Sequence, residues 1–217
     1  MAVHSTQAAT NTGQSQITRA GIRHLAGNIA VALLFFVTLA PSNLNYGSHL
    51  ANWIWLIGGA LMGLLMLIRI PPRTSAITPS TLLATGVSMV VPAMMRPEHP
   101  SHGLLAAAAV AVELTGVTLS QVSRLYLGRR FGLLPANRGV ITYGPFRFVR
   151  HPIYAGWLTL SVGYVMAFPA IRNGLIVIVT LPFIIWRSLQ EETLLAADAD
   201  YRSYLVRTRW RLIPGIC

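Results

Sequence analysis

Two short stretches of this chain combine residues that can hold a polar ligand. In the first, Arg150 and His151 stand directly before Pro152, and Tyr154 and Gly156 follow. Proline fits the first turn of a helix, so we expect His151 at the cap, where unpaired N–H groups and the helix dipole favour an anion. Tyr154 shares a helical face with His151, and Gly156 leaves room beside them. This stretch therefore predicts an anion pocket, unless it only marks where a helix enters a bilayer.

The second stretch contains Glu191 and Glu192, two of only six acidic residues in the chain. Anionic lipids make carboxylates unfavourable at a membrane interface, so the pair indicates a role beyond facing lipid. Tyr201, Tyr204 and Arg207 follow further along the same predicted helix. The alternative is a salt-bridged amphipathic helix lying on the headgroups, which explains the arginines better than it explains the paired glutamates.

One ligand would satisfy both stretches. It needs a cationic end for Glu191 or Glu192, an anionic end for the helix terminus at His151, and an aromatic base for the tyrosines. S-adenosylmethionine has a sulfonium and an ammonium, a carboxylate and an adenine. The residues therefore predict S-adenosylmethionine as the cofactor.

The elements that must position these residues are membrane-length helices. The chain has 217 residues, of which 53% are hydrophobic and only 11% charged, whereas soluble domains carry about 25% charged residues. We expect an all-α polytopic bundle of about six transmembrane helices, with a structured loop before span five and the sixth helix continuing as a cytoplasmic C-terminal helix. The predicted spans, each near the roughly 20 residues that a bilayer requires, are about 24–40, 50–68, 80–95, 103–123, 152–169 and 171–189.

The arginines predict the orientation of these spans. All 17 basic residues are arginine, and the formal net charge is +11. With six spans, every arginine except Arg96 and Arg172 falls on one side, and basic loops are cytoplasmic. We therefore expect a multi-pass protein of the inner (plasma) membrane with both termini in the cytoplasm and no nucleic-acid partner. The predicted regions are a flexible tail over 1–20, spans one to four over 21–123, and a catalytic, cofactor-binding region over 124–217.

A few further residues bear on function. Glu113 lies inside span four, where a carboxylate is a functional candidate or the ion-pair partner of an arginine on a neighbouring helix. The single cysteine, Cys217, excludes a disulfide framework and a cysteine metal site, and we predict no metal. His99 and His102 are close in sequence, but a solvated loop explains them better than haem ligation does.

At these motifs the chain resembles the isoprenylcysteine carboxyl methyltransferase and phospholipid methyltransferase superfamily of membrane enzymes. The resemblance covers roughly residues 120–217 and rests on the run GPFRFVRHP at 144–152, Tyr154 and Gly156, Glu191 and Glu192, Tyr201 and Tyr204, and Pro214. The chain departs from the prenylcysteine enzymes at 168–173 and at 198–200.

The resemblance implies a membrane methyltransferase that uses S-adenosylmethionine, bound between the loop, the start of span five and the helix after span six. It implies Arg150, Glu192 and Arg207 as catalytic residues, with Arg207 near the methyl acceptor. The cofactor contacts that we expect are Asn137, Tyr143, His151, Tyr154, Gly156, Glu191 and Tyr204.

The methyl acceptor is predicted from the lack of an evident general base. A carboxylate needs no general base, whereas an amine or a thiol must first lose a proton, and no evident His/Asp pair exists to take it. This favours a lipophilic small molecule or lipid with a carboxylate of the isoprenylcysteine type, steered by Arg150 or Arg207. The alternatives are a phospholipid amine, a small thiol, or a non-catalytic membrane sensor or assembly protein. A sterol-type reductase using a nicotinamide cofactor would require a larger chain.

Overall fold

The protein is described here by a computed structural model, which covers residues 29, 57, 59–60 and 63–216. The predicted tail at 1–20 and most of the first two predicted spans lie outside the described residues. The described chain is mainly helical, which confirms the predicted helical class. Its α-helices are α1 (Pro79–Val90), α2 (Gly103–Leu127), α3 (Pro152–Ala167), α4 (Ile171–Leu195) and α5 (Ala199–Arg207). Three short 3-10 helices lie at Pro92–Met94, Gly128–Arg130 and Gly144–Arg147.

Helices α1 to α4 correspond to the third to sixth predicted spans. Two helical segments, Gly103–Arg130 and Ile171–Leu195, are long and apolar enough to cross a membrane, and Pro79–Met94 is a shorter apolar helix. The number of six spans stays a prediction, because the first two fall largely outside the described residues.

Proline and capping side chains explain where these helices begin and end. Helix α1 begins with a capping box between Thr78 and Thr81, which satisfies two backbone N–H groups that have no partner inside the helix. Pro152 occupies the first position of α3, as predicted. Pro182 lies inside α4 without ending it.

The segment after α4 differs from the single continuous helix that we expected. Helix α4 ends at Leu195, and the side chain of Asp198 accepts a hydrogen bond from the backbone N–H of Asp200 at 3.0 Å. This cap begins the separate helix α5. The expectation of one helix was wrong because a capping aspartate stabilises a new helix start at this position.

Helices α2 and α3 make the closest helix contact in the described chain. Gly116 and Ser120 of α2 face Gly156 of α3, and Ala109 and Glu113 of α2 face Gly163, so that glycines let the two backbones approach. The hydroxyl of Ser120 donates to the carbonyl of Ile153 at 2.9 Å. This contact fixes the position of the start of α3 along the axis of α2.

The long loop before α3 is structured, as its composition indicated. The strand β1 (Thr74–Ser75) pairs antiparallel with β2 (Ala136–Asn137). The side-chain amide of Asn137 also donates to Asp198 at 3.2 Å, which ties the loop to the cap of α5. That hydrogen bond lowers the pKa of Asp198. The loop is thereby held against the beginning of α5.

The two arginines that were predicted to lie apart from the others are found at the same end of the bundle. The amide N–H of Arg96 donates to the side chain of Asn173 at 3.1 Å. The guanidinium of Arg172 donates to the carbonyl of Met94 at 2.8 Å. We call this end, where α3 stops and α4 starts, the far end of the bundle.

The Gly156→Ala variant tests the contact between α2 and α3. A Cβ atom at this position would lie 2.6 Å from the carbonyl oxygen of Gly116 and from the amide nitrogen of Ser120. Both neighbours are backbone atoms, which cannot move aside as a flexible side chain can. We therefore expect the substitution to reduce the free energy of unfolding by about 1–3 kcal/mol. Thermal unfolding of the detergent-solubilised protein measures the change.

The matched control for that experiment is Gly86→Ala on α1. No atom lies within 4 Å of a Cβ placed at Gly86, so alanine should leave stability unchanged or raise it by up to about 1 kcal/mol. Equal melting temperatures for the two variants would show that the α2–α3 contact has room for a methyl group.

Candidate functional site

The start of α3 and the last turns of α4 meet, so the two stretches that the sequence singled out are in direct contact. Around two adjacent carboxylates they form a group of charged and titratable side chains, which we call the carboxylate cluster. Its members are Arg150, His151, Arg187, Glu191, Glu192 and Arg211. The three guanidinium groups outnumber the two carboxylates, so the cluster is net positive even with a neutral His151.

Glu192 is the buried centre of the carboxylate cluster. Its Oε2 accepts a hydrogen bond from Arg150 at 3.2 Å. Its Oε1 lies 3.2 Å from Nε2 of His151 and accepts from Nε of Arg211 at 3.0 Å. The side chain of Glu192 is only 11% exposed and that of Arg150 only 14%. A buried ion pair with these additional hydrogen bonds is fully matched, and removal of one partner would leave an uncompensated charge.

Glu191 has different surroundings from its neighbour. Its Oε1 accepts a hydrogen bond from the Tyr154 hydroxyl and forms an ion pair with Nε of Arg187 at 3.5 Å. Its Oε2 lies 3.7 Å from Nδ1 of His151, which is too long for a hydrogen bond. A carboxylate offers about four acceptor positions. Glu191 therefore keeps acceptor capacity on Oε2.

The rings of His151 and Tyr154 stack, with centroids 5.5 Å apart and planes at 13°. His151 is the N-terminal cap residue of α3, as expected, but its side chain makes no capping hydrogen bond. The ring instead turns toward the two carboxylates. The stacking thus holds an imidazole and a phenol side by side beneath Glu191.

The C-terminal segment encloses the cluster. The amide N–H of Arg150 donates to the carbonyl of Trp210 at 2.8 Å, and that of His151 donates to the carbonyl of Arg211 at 2.9 Å. Nε of Arg150 also donates to the carbonyl of Thr208 at 2.8 Å. The segment after α5 therefore lies along the beginning of α3 and holds Arg150 in one orientation.

Two tyrosines of α5 complete this end of the molecule. The hydroxyl of Tyr204 donates to the carbonyl of Phe146 at 2.6 Å, and the ring of Tyr201 lies 5.6 Å from that of Tyr204. Burial raises the pKa of Tyr204 to about 12 and also raises the pKa of Tyr201. Both phenols therefore stay protonated at neutral pH, and that of Tyr204 acts as a hydrogen-bond donor.

A cavity of about 330 Å³ begins at the carboxylate cluster and continues between the helices. This volume lies within the range of about 300–1,000 Å³ that is usual for ligand sites. Five of the predicted site residues line it, namely Arg150, His151, Tyr154, Glu191 and Tyr204. The cavity is thus bounded by residues from both predicted stretches.

The other five predicted site residues do not line this cavity. Glu192 lies behind Glu191 in the ion pairs described above. Gly156 lies in the contact between α2 and α3, and Asn137 is bonded to Asp198. Tyr143 is 56% exposed and packs edge-on against Tyr126. Arg207 is exposed at the end of α5.

The sequence reasoning missed Arg187 and Arg138 as wall residues. Both are buried and line the cavity. Burial lowers the pKa of Arg138 to about 10, so it remains charged at neutral pH. The guanidinium of Arg187 lies 5.3 Å from the Tyr154 ring and donates to the carbonyl of Leu133. Its position within an apolar helix, four residues before Glu191, was the available signal.

Comparison with known proteins bears on this geometry. Residues 102–198 match the family described as phospholipid methyltransferase. The match runs from the start of α2 to the cap of α5, so the matched segment includes both glutamates and the start of α3. The match supports the superfamily that the motifs predicted.

One solved structure and the curated proteins complete the comparison. The structure of the eukaryotic intramembrane Ras methyltransferase ICMT (isoprenylcysteine carboxyl methyltransferase), without a monobody, matches with a TM-score of 0.47 and 16% sequence identity. The match covers 95% of this chain and 89% of that chain. The comparison with curated proteins returned no match.

The Glu192→Gln variant tests whether the carboxylate cluster stabilises the folded protein. The amide cannot balance Arg150 and Arg211, so two guanidinium groups lose their counter-charge. We expect a loss of about 3 kcal/mol in the free energy of unfolding, because a buried pair that loses one partner leaves a charge uncompensated. The melting temperature of the purified protein measures it.

The matched control is Glu98→Gln at the far end. Glu98 is half-exposed and lies 3.9 Å from Arg172, and such surface pairs contribute no more than about 1 kcal/mol. If Glu192→Gln proved no more damaging than this control, Glu192 would not be a structural centre.

Proposed function

We propose that this protein is a membrane-embedded methyltransferase that transfers a methyl group from S-adenosylmethionine to a lipophilic acceptor. The observation that carries the proposal is the contact between the R-H-P start of α3 and the glutamates of α4. This contact lies at one end of a cavity that continues between apolar helices. A polar cofactor can bind at that end while a lipophilic acceptor occupies the rest.

The residues at the cluster fit the proposed cofactor. Oε2 of Glu191 has room to accept a hydrogen bond from an ammonium group, and a carboxylate also stabilises a sulfonium. The surplus of guanidinium groups in the cluster favours the carboxylate of the same molecule. Tyr201 and Tyr204 line the cavity beside them and offer aromatic faces. The wall therefore carries a partner for each chemical group of S-adenosylmethionine.

When bound, S-adenosylmethionine supplies a methyl group that is already activated for in-line displacement. The residues of this chain then have to align and enclose the reactants. Tyr154 holds Glu191 in place through its hydroxyl, and His151 supports Tyr154 by stacking against its ring. The C-terminal segment covers the start of α3, which excludes water from the cluster. The catalytic roles predicted for Arg150, Glu192 and Arg207 stay predictions.

The acceptor that this wall supports best carries a carboxylate, of the isoprenylcysteine type. Arg130, Arg138 and Arg150 all line the cavity near the cluster and favour an anionic group. A carboxylate acceptor also needs no base, and no second histidine lines the cavity within residues 63–216. The second candidate is a phospholipid amine, which is favoured by the name of the family that residues 102–198 match.

We propose that the cluster faces the cytoplasm. The two arginines predicted for the opposite side, Arg96 and Arg172, both lie at the far end. The arginines of the loop before α3 and of the C-terminal segment lie around the cluster. Arginine collects on the cytoplasmic side of membrane proteins, which supports this orientation in the inner membrane with both termini inside.

Binding of S-adenosylhomocysteine tests the cofactor. At 100 times its dissociation constant a ligand stabilises the folded protein by about 2.7 kcal/mol, so the melting temperature of the wild-type protein should rise. In Glu191→Gln the negative charge that meets the ammonium group is lost. We expect the dissociation constant, measured from the same thermal titration, to increase at least about tenfold, or 1.4 kcal/mol.

Glu98→Gln is the control for this measurement, because it makes the same chemical change far from the cluster and should keep wild-type affinity. The proposal fails if the wild-type protein shows no stabilisation by S-adenosylhomocysteine. The role of Glu191 fails if both variants bind it equally.

Methyl transfer from the labelled donor identifies the acceptor class. The purified protein is incubated with S-adenosylmethionine carrying a radioactive methyl group and with a membrane lipid extract or a prenylated cysteine peptide. A carboxylate acceptor yields a base-labile methyl ester, whereas a phospholipid amine yields label that survives mild base in the headgroup. Label in neither fraction would count against a lipophilic acceptor.

A further inference from the structure

A second carboxylate borders the cavity, far from the carboxylate cluster. Glu113 lies inside α2, and its residue exposure is only 3%. It lines the same cavity as Glu191 and Tyr154. The absence of a side chain at Gly163 makes room for it, since a Cβ there would lie 2.8 Å from Cγ of Glu113. Glu113 is therefore packed against α3 with its carboxyl group at the cavity wall.

The carboxyl group of Glu113 has no hydrogen-bond or ion-pair partner among residues 63–216. The arginine partner that the sequence allowed on a neighbouring helix is not found there. A buried polar group without a partner is costly, and a charged one much more so. Ionisable residues inside membrane helices are rare and mark ligand or ion pathways. A partner supplied by a bound molecule would remove this cost.

The positions along α3 give the distance between the two carboxylates. Glu113 lies level with Gly163, whereas Tyr154 lies level with Glu191. Nine residues separate Tyr154 from Gly163, which corresponds to about 14 Å along a helix. Residues between these levels, such as Trp157 and Leu160, line the cavity. The cavity thus has a polar group at each level and an apolar wall between them.

We infer that Glu113 binds a hydrogen-bond-donating group, an ammonium or a hydroxyl, on the membrane-buried part of the methyl acceptor, about 14 Å from the end that reaches the carboxylate cluster. The inference rests on the proposed function, because it takes this cavity to be the acceptor site. A plain hydrocarbon tail at that level would leave Glu113 without a partner. The acceptor is therefore an amphiphile that shares the reacting carboxylate with an isoprenylcysteine but carries a polar group where the prenyl chain of an isoprenylcysteine is plain hydrocarbon.

Binding of single-chain amphiphiles of equal length tests this inference without a known acceptor. The probes are dodecylamine, dodecanol and dodecanoate, each added to the full-length protein in phosphatidylcholine nanodiscs, and the readout is the melting temperature. The wild-type protein should bind the amine, the alcohol or both at Glu113, whereas dodecanoate should bind through the arginines that line the cavity and independently of Glu113. Preference for the amine over the alcohol would show that the donor is charged, and equal binding that a neutral donor suffices.

Two variants of Glu113 test whether the amine and alcohol probes bind at this residue. Glu113→Leu should lose at least tenfold in affinity for the donor probes, and Glu113→Gln provides a second variant of nearly wild-type shape. Both should fold, because removal of an unpartnered buried carboxylate removes an unfavourable group. Glu98→Gln is the matched carboxylate control and should bind the probes as the wild type does.

The outcomes separate this inference from the cofactor proposal. Glu113→Leu should keep the stabilisation by S-adenosylhomocysteine, while Glu191→Gln should weaken it and keep amine binding. The inference is overturned if Glu113→Leu and Glu113→Gln bind the donor probes as tightly as the wild type, if these variants weaken dodecanoate binding as much as amine binding, or if amine binding is lost only in Glu191→Gln. If S-adenosylhomocysteine does not stabilise the wild-type protein but Glu113→Leu loses amine binding, the cofactor proposal is refuted and the Glu113 site is supported.

Discussion

The structure around the site depends on one buried carboxylate. Glu192 of α4 joins Arg150, His151 and Arg211, which come from the start of α3 and from the C-terminal segment. A buried charge is tolerated only when its partners are correctly placed, so these three parts of the chain can have only one relative arrangement. The same constraint places the neighbouring Glu191 at the cavity. A residue that does not line the cavity therefore determines the geometry of one that does.

The cavity has different polar groups at its two levels. Arginines outnumber carboxylates around the cluster, whereas Glu113 is a lone carboxylate about 14 Å further along α3. Apolar side chains separate the two levels. Such a cavity suits a ligand that is polar at both ends, and it would orient that ligand by its polar groups as well as by its shape. The contact of α2 with α3 through glycines is what brings Glu113 to this wall, so helix packing and ligand selection are linked.

Much of the fold was predictable because it follows from local properties. Apolar length predicted the helices α2, α3 and α4, and Pro152 predicted where α3 begins. The break between α4 and α5 was not predicted, since Asp198 reads equally well as a helix surface residue or as a cap. Gly156 was predicted to contact the cofactor, but a glycine on a helix gives room to a ligand and to a neighbouring helix alike. Only the positions of Ser120 and Gly116 show that it packs against α2.

For the site, the sequence by itself determined which residue types were available and that the R-H-P and E-E stretches belong together, because each supplies charges that the other can balance. Only the tertiary structure decided which glutamate faces the cavity. Consecutive residues of a helix point about 100° apart, so the rotation of α4 relative to α3 turns Glu191 toward the open space and Glu192 toward Arg150. That rotation is set by contacts distant in sequence, such as Arg187 with Ser88 and Arg150 with Thr208, and no local pattern records it.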